Sequence, residues 1–286
     1  MAGLVINKQK SSFIVEKNGE TYVTKPSGNL IKSRQTIYVG DYVEIDTENN
    51  LISELLPRRN FLVRPPIANV DIVLIVMSMV QPDFSLFLVE KFLSYANFAE
   101  IKPLVIITKQ DKLDTGDLLK EVQDSLDKLH VKNYVVNNKS GEGLDAVRKY
   151  LHGKVVALMG QSGVGKSSFI NALTDYDREV GKFSISINRG RHVTKEVIML
   201  PFNAGYLVDT PGFSSFELPL TKGDLAENFP GFKKYIGTCK FNNCLHLSEI
   251  GCTVKADVEA GLISEESYNN YVMISDELKL YSEDYK

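Results

Sequence analysis

The residues Gly160-Gln161-Ser162-Gly163-Val164-Gly165-Lys166-Ser167 carry the spacing GxxxxGKS. Glycines at these intervals let consecutive backbone N–H groups turn inward around phosphate oxygens, and a helix starting there adds the partial positive charge of its N-terminus. In such a loop Lys166 reaches the β- and γ-phosphates of a nucleoside triphosphate and the Ser167 hydroxyl binds Mg²⁺. The apolar run Val155–Met159 comes directly before it and a helical run, Ser168 to Leu173, directly after. A plain Gly-rich connector would also join a strand to a helix, but it would not need Lys-Ser at the helix start. The strand–loop–helix context therefore marks a phosphate site.

A second constellation lies near the other end. Cys239, Cys244, His246 and Cys252 read C-x4-C-x-H-x5-C. Three thiolates and one imidazole form a closed tetrahedral set of the structural Zn²⁺ type, with no open position for catalysis. Three cysteines in a chain without an export signal argue against disulfides. A small acidic unit of about 70 residues gains stability from such a staple. His130 and His152 fall in helical patterns and read as ordinary surface or boundary residues.

Thr108-Lys109-Gln110-Asp111 follows the buried strand Pro103–Ile107 and resembles the NKxD motif of GTPases. Asp111 would accept from the guanine N1–H and its exocyclic amine, a pattern adenine lacks, while Lys109 packs its stem on the base. Thr108 stands where Asn is usual, so one contact is weakened or rearranged. Asp209-Thr210-Pro211-Gly212 follows the strand Gly205–Val208 and resembles the switch-two DxxG, Asp209 holding Mg²⁺ and the Gly212 N–H meeting the γ-phosphate. Between them, Asn188 to Thr194 fits switch one, with Thr194 as the second hydroxyl on Mg²⁺; a plain exposed basic loop is the alternative. Ordinary GTPases run P-loop, switch one, DxxG, NKxD. Here the base motif comes first, the arrangement of a circular permutation.

The elements that must position these residues follow from periodicity. In residues 1–64, Phe13–Lys17, the Asn18–Gly19 turn and Thr21–Lys25 read as a hairpin. Tyr42–Ile45 and Leu51–Leu55 add alternating strands, and no convincing helix appears. This is a small β-barrel of the OB type, though an SH3-like barrel reads the same way. Pro65–Pro66 suits a linker. Residues 65–215 alternate strand and helix from the apolar-rich stretch Val70–Val80 onward, as a mostly parallel α/β sheet does. Residues 216–286 are polar, acidic and mostly helical in pattern. Three units are expected: an OB-like barrel (1–64), a central α/β P-loop domain (65–215) and a mostly helical zinc-binding domain (216–286).

Composition narrows the class. The chain has 286 residues, 43% hydrophobic and 24% charged, which excludes a wholly disordered, collagenous or coiled-coil protein. No apolar stretch approaches the roughly 20 residues of a membrane span, and the start MAGLVINKQK lacks the apolar core of a signal peptide. A cytoplasmic protein with no membrane anchor is expected. The net charge of −3 argues against wholesale nucleic-acid binding. Residues 1–64 hold nine Lys/Arg against seven Asp/Glu, whereas 215–286 hold seven against 12, so any polyanion contact is local. The barrel's candidates for RNA are Lys8, Lys10, Lys32, Arg34, Arg58, Arg59 and Arg64.

TKQD, GQSGVGKSS, RGRHVT, DTPGF and the Cys/His cluster, in this order and flanked by a small barrel, resemble the bacterial ribosome small subunit-dependent GTPase A (RsgA) family over essentially the whole chain. The resemblance implies GTP hydrolysis stimulated by the small ribosomal subunit, coupled to late maturation of that subunit and to release of the protein. Its cofactors would be GTP/GDP, Mg²⁺ and one structural Zn²⁺, and its partners the subunit and its rRNA, the protein acting as a monomer. Thr108, Lys109, Asp111, the loop from Gly160 through Ser168, Asp209 and Gly212 would bind the nucleotide. Lys166 and Thr194 would act in catalysis. Two positions depart from the family: Val193 replaces the first of a usual Thr pair, and Asn137-Asn138 stands where GTPases usually have Ser-Ala behind the base. Phe213 stands where many GTPases place a water-orienting Gln, so His192, or a group on the ribosome, is expected to position the water. One rival is a nucleotide-gated rRNA-binding module whose hydrolysis is incidental; another is a P-loop ATPase.

Overall fold

A computed structural model describes residues 2–113, 115–175, 197–209 and 218–283. The barrel strands are β1 (Gly3–Lys8), β2 (Phe13–Lys17), β3 (Glu20–Pro26), β4 (Tyr42–Asp46) and β5 (Leu51–Leu55). They run β1-β2-β3-β5-β4 and close through an additional β1–β4 pairing. This five-stranded circuit, with β3 and β5 parallel, fits the OB type. Val5, Val15, Val43 and Ile52 are fully buried in it, as alternation of one inward face requires. Two features differ from expectation. The first strand, Gly3–Lys8, is too mixed in pattern to stand out, and a short helix, α1 (Gly28–Lys32), forms between β3 and β4, started by the Ser27 hydroxyl accepting from Leu30 N–H.

A two-stranded ladder of β6 (Phe61–Leu62) and β7 (Ile67–Ala68) leads out of the barrel, and the central sheet uses β8 (Ile72–Ser78), β9 (Lys102–Thr108), β10 (Asn133–Val135), β11 (Val155–Met159), β12 (Ile198–Phe202) and β13 (Gly205–Asp209). Its order is β10-β9-β8-β11-β13-β12. All neighbours are parallel except β12 against β13. Helices α2 (Leu86–Phe98), α3 (Asp117–Lys128), α4 (Leu144–Leu151) and α5 (Lys166–Asp175) flank it. The strands are apolar on both sides because both faces are covered. Val73, Ile75 and Met77 of β8 join one core cluster with Phe92 of α2 and Leu126 of α3, while Ile72, Leu74 and Val76 join the other with Val147 of α4 and Phe169 of α5. Each such buried side chain contributes about 1.5–3 kcal/mol.

The C-terminal helices are α6 (Lys222–Asn228), α7 (Thr253–Glu259) and α8 (Glu265–Glu283). A reciprocal capping box between Thr221 and Asp224 starts α6. Leu225, Phe229, Phe232, Tyr271 and Ile274 belong to the same cluster as the α2 face of the sheet. At the other end β12 pairs with β1 at Asn7 and Ile198, which joins the barrel to the central sheet. The 65–66 segment is anchored as well, since the Val63 and Arg64 N–H groups donate to the buried Tyr95 hydroxyl at 2.8 and 3.1 Å. His130 and His152 sit just beyond the ends of α3 and α4, where His152 Nδ1 lies 3.3 Å from Asn203 Oδ1.

Candidate nucleotide site and metal centre

The parallel strands bring the C-terminal ends of β8, β9, β10, β11 and β13 to one edge, where ligands of open α/β sheets bind. The phosphate loop follows β11. Gly160 has φ 144°, and a Cβ there would collide with the Val76 carbonyl. Val164 tucks its side chain into the core, 1% exposed. The Phe169 N–H donates to Gly165 O at 2.8 Å, closing the first turn of α5 onto the loop. Lys166 donates to the Gly160 and Gln161 carbonyls at 2.6 and 2.7 Å, and burial pulls its ammonium pKa below the ordinary lysine range. Ser167 and Ser168 are exposed at the start of α5.

The base motif lies against this loop. Thr108 is fully buried, and its hydroxyl donates to Val164 O at 2.7 Å. Lys109, in the left-handed region at φ 59°, donates to Gly163 O at 2.8 Å and to Gln81 O. Burial, then the neighbouring Lys112 charge, lowers its pKa. The Thr108 hydroxyl thus ties the end of β9 to the phosphate loop. Asp111 Oδ2 lies 3.5 Å from Lys139 Nζ, which is 79% exposed. Asn137 Oδ1 accepts from the Lys139 and Ser140 N–H groups at 2.9 and 3.2 Å, so this side chain shapes its own loop.

Asp209 ends β13, beside the phosphate-loop strand. Hydroxyl and carboxylate oxygens such as Ser167 and Asp209 are the donor chemistry Mg²⁺ prefers. Thr194, His192 and Gly212, with Val193 and Phe213, lie outside the described residues. Sequence reasoning missed the loop after β8, where Gln81 accepts from both Lys109 and Lys112. No local motif marks it, because its role comes only from lying beside two other loops.

The metal-type cluster is compact. The ligand atoms of Cys239, Cys244, His246 and Cys252 all lie within 4.8 Å of one another. His246 Nδ1 is 3.6 Å from Cys239 Sγ and 3.4 Å from Cys252 Sγ. Tetrahedral zinc bonds imply edges of about 3.6 Å for S···N and about 3.8 Å for S···S, so the four residues fit that ion. Three ligands are buried, and outer contacts orient them. Glu249 accepts from the Leu245 and Leu247 N–H groups at 2.9 and 2.8 Å, the Tyr268 hydroxyl donates to His246 O at 2.8 Å, and Phe232 meets the imidazole edge-on at 5.5 Å. Burial, supported by the Cys252 and Cys239 thiols, pushes Cys244 up to about 12. A bound cation would offset that cost by holding the thiolate form.

Two of the barrel's basic candidates are already engaged. Arg58 grips buried Asp41 at 2.6 and 2.9 Å and lies over Tyr38 and Phe61, while Arg59 pairs with Asp71 at 2.9 Å. They hold the barrel and its exit segment. Lys10, Lys32 and Arg34 are exposed.

The family described as RsgA GTPase matches residues 55–219. Small ribosomal subunit biogenesis GTPase RsgA of Enterococcus faecalis is 36% identical over 285 residues, spanning 96% of this chain and 94% of that protein. Its counterpart of the same name in Streptococcus pneumoniae is 36% identical over 291 residues, spanning 100% and 97%. The crystal structure of YjeQ from Thermotoga maritima covers 97% of this chain and 98% of its own at 33% identity, with a TM-score of 0.78. That of YloQ, described as a circularly permuted GTPase, covers 97% and 94% at 30% identity, also with a TM-score of 0.78. With its base motif ahead of its phosphate loop on one shared sheet edge, this chain belongs to the RsgA family of circularly permuted GTPases.

Proposed function

We propose that this protein hydrolyses GTP on the small ribosomal subunit, coupling hydrolysis to late maturation of the subunit and to its own release. The observation that carries the reading is the bond from the Thr108 hydroxyl to Val164 O at 2.7 Å. It joins Thr108 and Val164, 56 residues apart, and so holds the Thr-Lys-Gln-Asp stretch against the phosphate loop. The names of the full-length relatives supply the subunit.

In this reading residues 1–64 contact rRNA, 65–215 bind and hydrolyse GTP, and 216–286 are stapled by one Zn²⁺. The exposed Lys8, Lys10, Lys32, Arg34 and Arg64 are the barrel's candidates for contact with phosphates, since Arg58 and Arg59 are committed to Asp41 and Asp71. Asp111 accepts from the guanine N1–H and N2 amine. The N–H groups of the loop from Gly160 through Ser168 cradle the phosphates, and Lys166 leaves the Gly160 and Gln161 carbonyls to meet the β- and γ-phosphates. Ser167, Thr194 and Asp209 would hold Mg²⁺, which when bound would supply positive charge beside the phosphoryl oxygens. The Gly212 N–H meets the γ-phosphate, and His192, or a group of the ribosome, orients the attacking water in place of Phe213. The protein acts as a monomer in the cytoplasm, without a membrane contact.

The test is GTP turnover by purified protein, alone and with purified small subunits, with ATP as control. Slow basal turnover that subunits raise strongly and only for GTP is expected. Turnover indifferent to subunits would remove the partner, and equal use of ATP would remove the base reading. Full subunit maturation by Lys166→Ala would favour the rival RNA-binding module.

A further inference from the structure

We infer that Asn138 is a base-reading residue of this site, its carboxamide donating to the N7/O6 edge of guanine. The inference rests on the guanine-nucleotide reading above and deepens it. A carboxamide is the group that position 108 lacks: Thr108 has one hydroxyl hydrogen, and the Val164 and Met77 carbonyls lie 2.7 and 3.2 Å from its oxygen to accept it. Nothing at 108 is left to donate to a base.

The missing group stands nearby. A Cβ built on Gly165 would lie 3.6 Å from Asn138 Nδ2, 3.8 Å from Thr108 Oγ1 and 4.0 Å from Lys109 Cε. Three side chains from two loops therefore converge on the same face of the phosphate loop. Gly165 itself has φ 94°, so no ordinary side chain can enter that space. The pairing of β10 with β9 fixes the approach, with Val135 opposite Ile107 and the Val136 N–H donating to Ile107 O at 2.9 Å. One residue further on, Lys139 reaches Asp111. The loop thus crosses the base motif, with Asn138 over its start and Lys139 over its end.

Asn138 Oδ1 is buried without a hydrogen-bond partner among the described residues, although buried polar atoms are paired in the great majority of cases, so no donor among those residues fixes the orientation of the carboxamide through its oxygen. Asn137, by contrast, uses its side chain within the loop. Guanine offers Asp111 two donors on its N1/N2 side and presents two acceptors, O6 and N7, on the adjoining edge. A carboxamide amine reads acceptors of this kind in base recognition generally.

The experiment is equilibrium binding of GDP, 7-deaza-GDP and inosine diphosphate to the full chain and to Asn138→Ala and Asn138→Asp. The 7-deaza compound lacks the N7 acceptor, while inosine lacks the amine that Asp111 reads. The parent is expected to bind GDP about five- to tenfold more tightly than 7-deaza-GDP, the worth of one hydrogen bond. Asn138→Ala is expected to bind the two equally, yet still to prefer GDP over inosine diphosphate. Asn138→Asp, isosteric and without a donor, is expected to bind GDP less well than Asn138→Ala. The same GDP to 7-deaza-GDP ratio in parent and Asn138→Ala would overturn the inference, as would a parent indifferent to N7. A parent that does not distinguish GDP from inosine diphosphate would instead defeat the guanine reading itself. A purely structural role for Asn138 would lower affinity for all three nucleotides alike and leave every ratio unmoved.

Discussion

The metal centre and the nucleotide edge both hold several side chains on one point, and they do so by opposite means. The four metal ligands come from 14 consecutive residues, 239 to 252. The nucleotide edge gathers Gln81, Thr108 to Asp111, Asn138, Lys139 and the loop from Gly160. The compact cluster carries its own cost, since burial, with neighbouring thiols, disfavours the thiolate forms of Cys244 and Cys252 that a metal needs. At the distributed edge burial disfavours the charges of Lys166 and Lys109, but parallel strands place each loop whether or not its neighbours bind. Damage to the cluster should therefore appear as lost structure. Damage to the edge should appear as lost chemistry on an intact fold.

The largest effect expected is at the cluster. Removing the metal with a chelator, or replacing Cys252 with Ser, should abolish stoichiometric zinc and deprotect amides around 239–253 in hydrogen exchange. Structural zinc is worth about 10–16 kcal/mol in zinc-finger peptides, so a loss of several kcal/mol is expected here. Unchanged protection would mean that the cluster does not hold the local fold.

At the edge, Lys166→Ala should lower GTP turnover by about 10²–10³, as for loss of a preorganised charge contact, with the melting temperature nearly unmoved. A cooperative loss of fold in that variant would break the comparison from the other direction. Asp111→Asn should weaken GTP by about 2–3 kcal/mol, the value of a hydrogen bond to a charged group, and shift preference toward xanthosine nucleotides in competition binding.

Thr108→Val sharpens the contrast, because Thr108 belongs to both categories. It strips the donor from Val164 O and should cost about 1–2 kcal/mol in denaturant unfolding, together with a few-fold rise in KM for GTP. Thr108→Ser should restore most of both.

A smaller effect is expected between α2 and α8. Glu90 of α2 is fully buried against α8, where Asn270 Nδ2 donates to its Oε2 at 2.7 Å and Oε1 has no partner among the described residues. Burial raises its pKa, against hydrogen bonds from Ser267 and Asn270 and with Glu266 adding in the same direction. The folded protein therefore holds this proton more tightly than the unfolded chain. Its contribution is fully present below the ordinary glutamate range and is lost as pH rises through the raised value. Glu90→Gln should flatten that slope in urea midpoints measured across pH, with stability at neutral pH within about 1 kcal/mol of the parent.

Much of this was legible in the chain. The GxxxxGKS spacing, its flanking strand and helix, the Cys/His spacing and the α/β alternation all sit in contiguous stretches, and local stretches carry the periodicity that reveals them. The first strand was not legible, because Gly3–Lys8 gains its role from pairing with β2, β4 and distant β12. Nor was the work of Arg58 and Arg59, which read as surface charge until their partners Asp41 and Asp71 are known. The α2–α8 contact, with Lys91 on Glu277 across 186 residues, has no sequence signature at all.

Residue types at short spacing were readable without any fold: the GxxxxGKS loop, the Thr-Lys-Gln-Asp stretch ending in the Asp111 carboxylate, and a closed sulfur–nitrogen set. These follow from residue type at short spacing, which sterics and coordination chemistry constrain locally. Tertiary structure decided which of those groups meet. A permuted chain order says nothing of distance, and only the parallel register of β8, β9, β10 and β11 sets Thr108, Asn138 and Gly165 around one point. The physical reason is that side-chain chemistry is fixed by the residue itself, whereas juxtaposition is fixed by backbone hydrogen bonds between strands far apart in sequence.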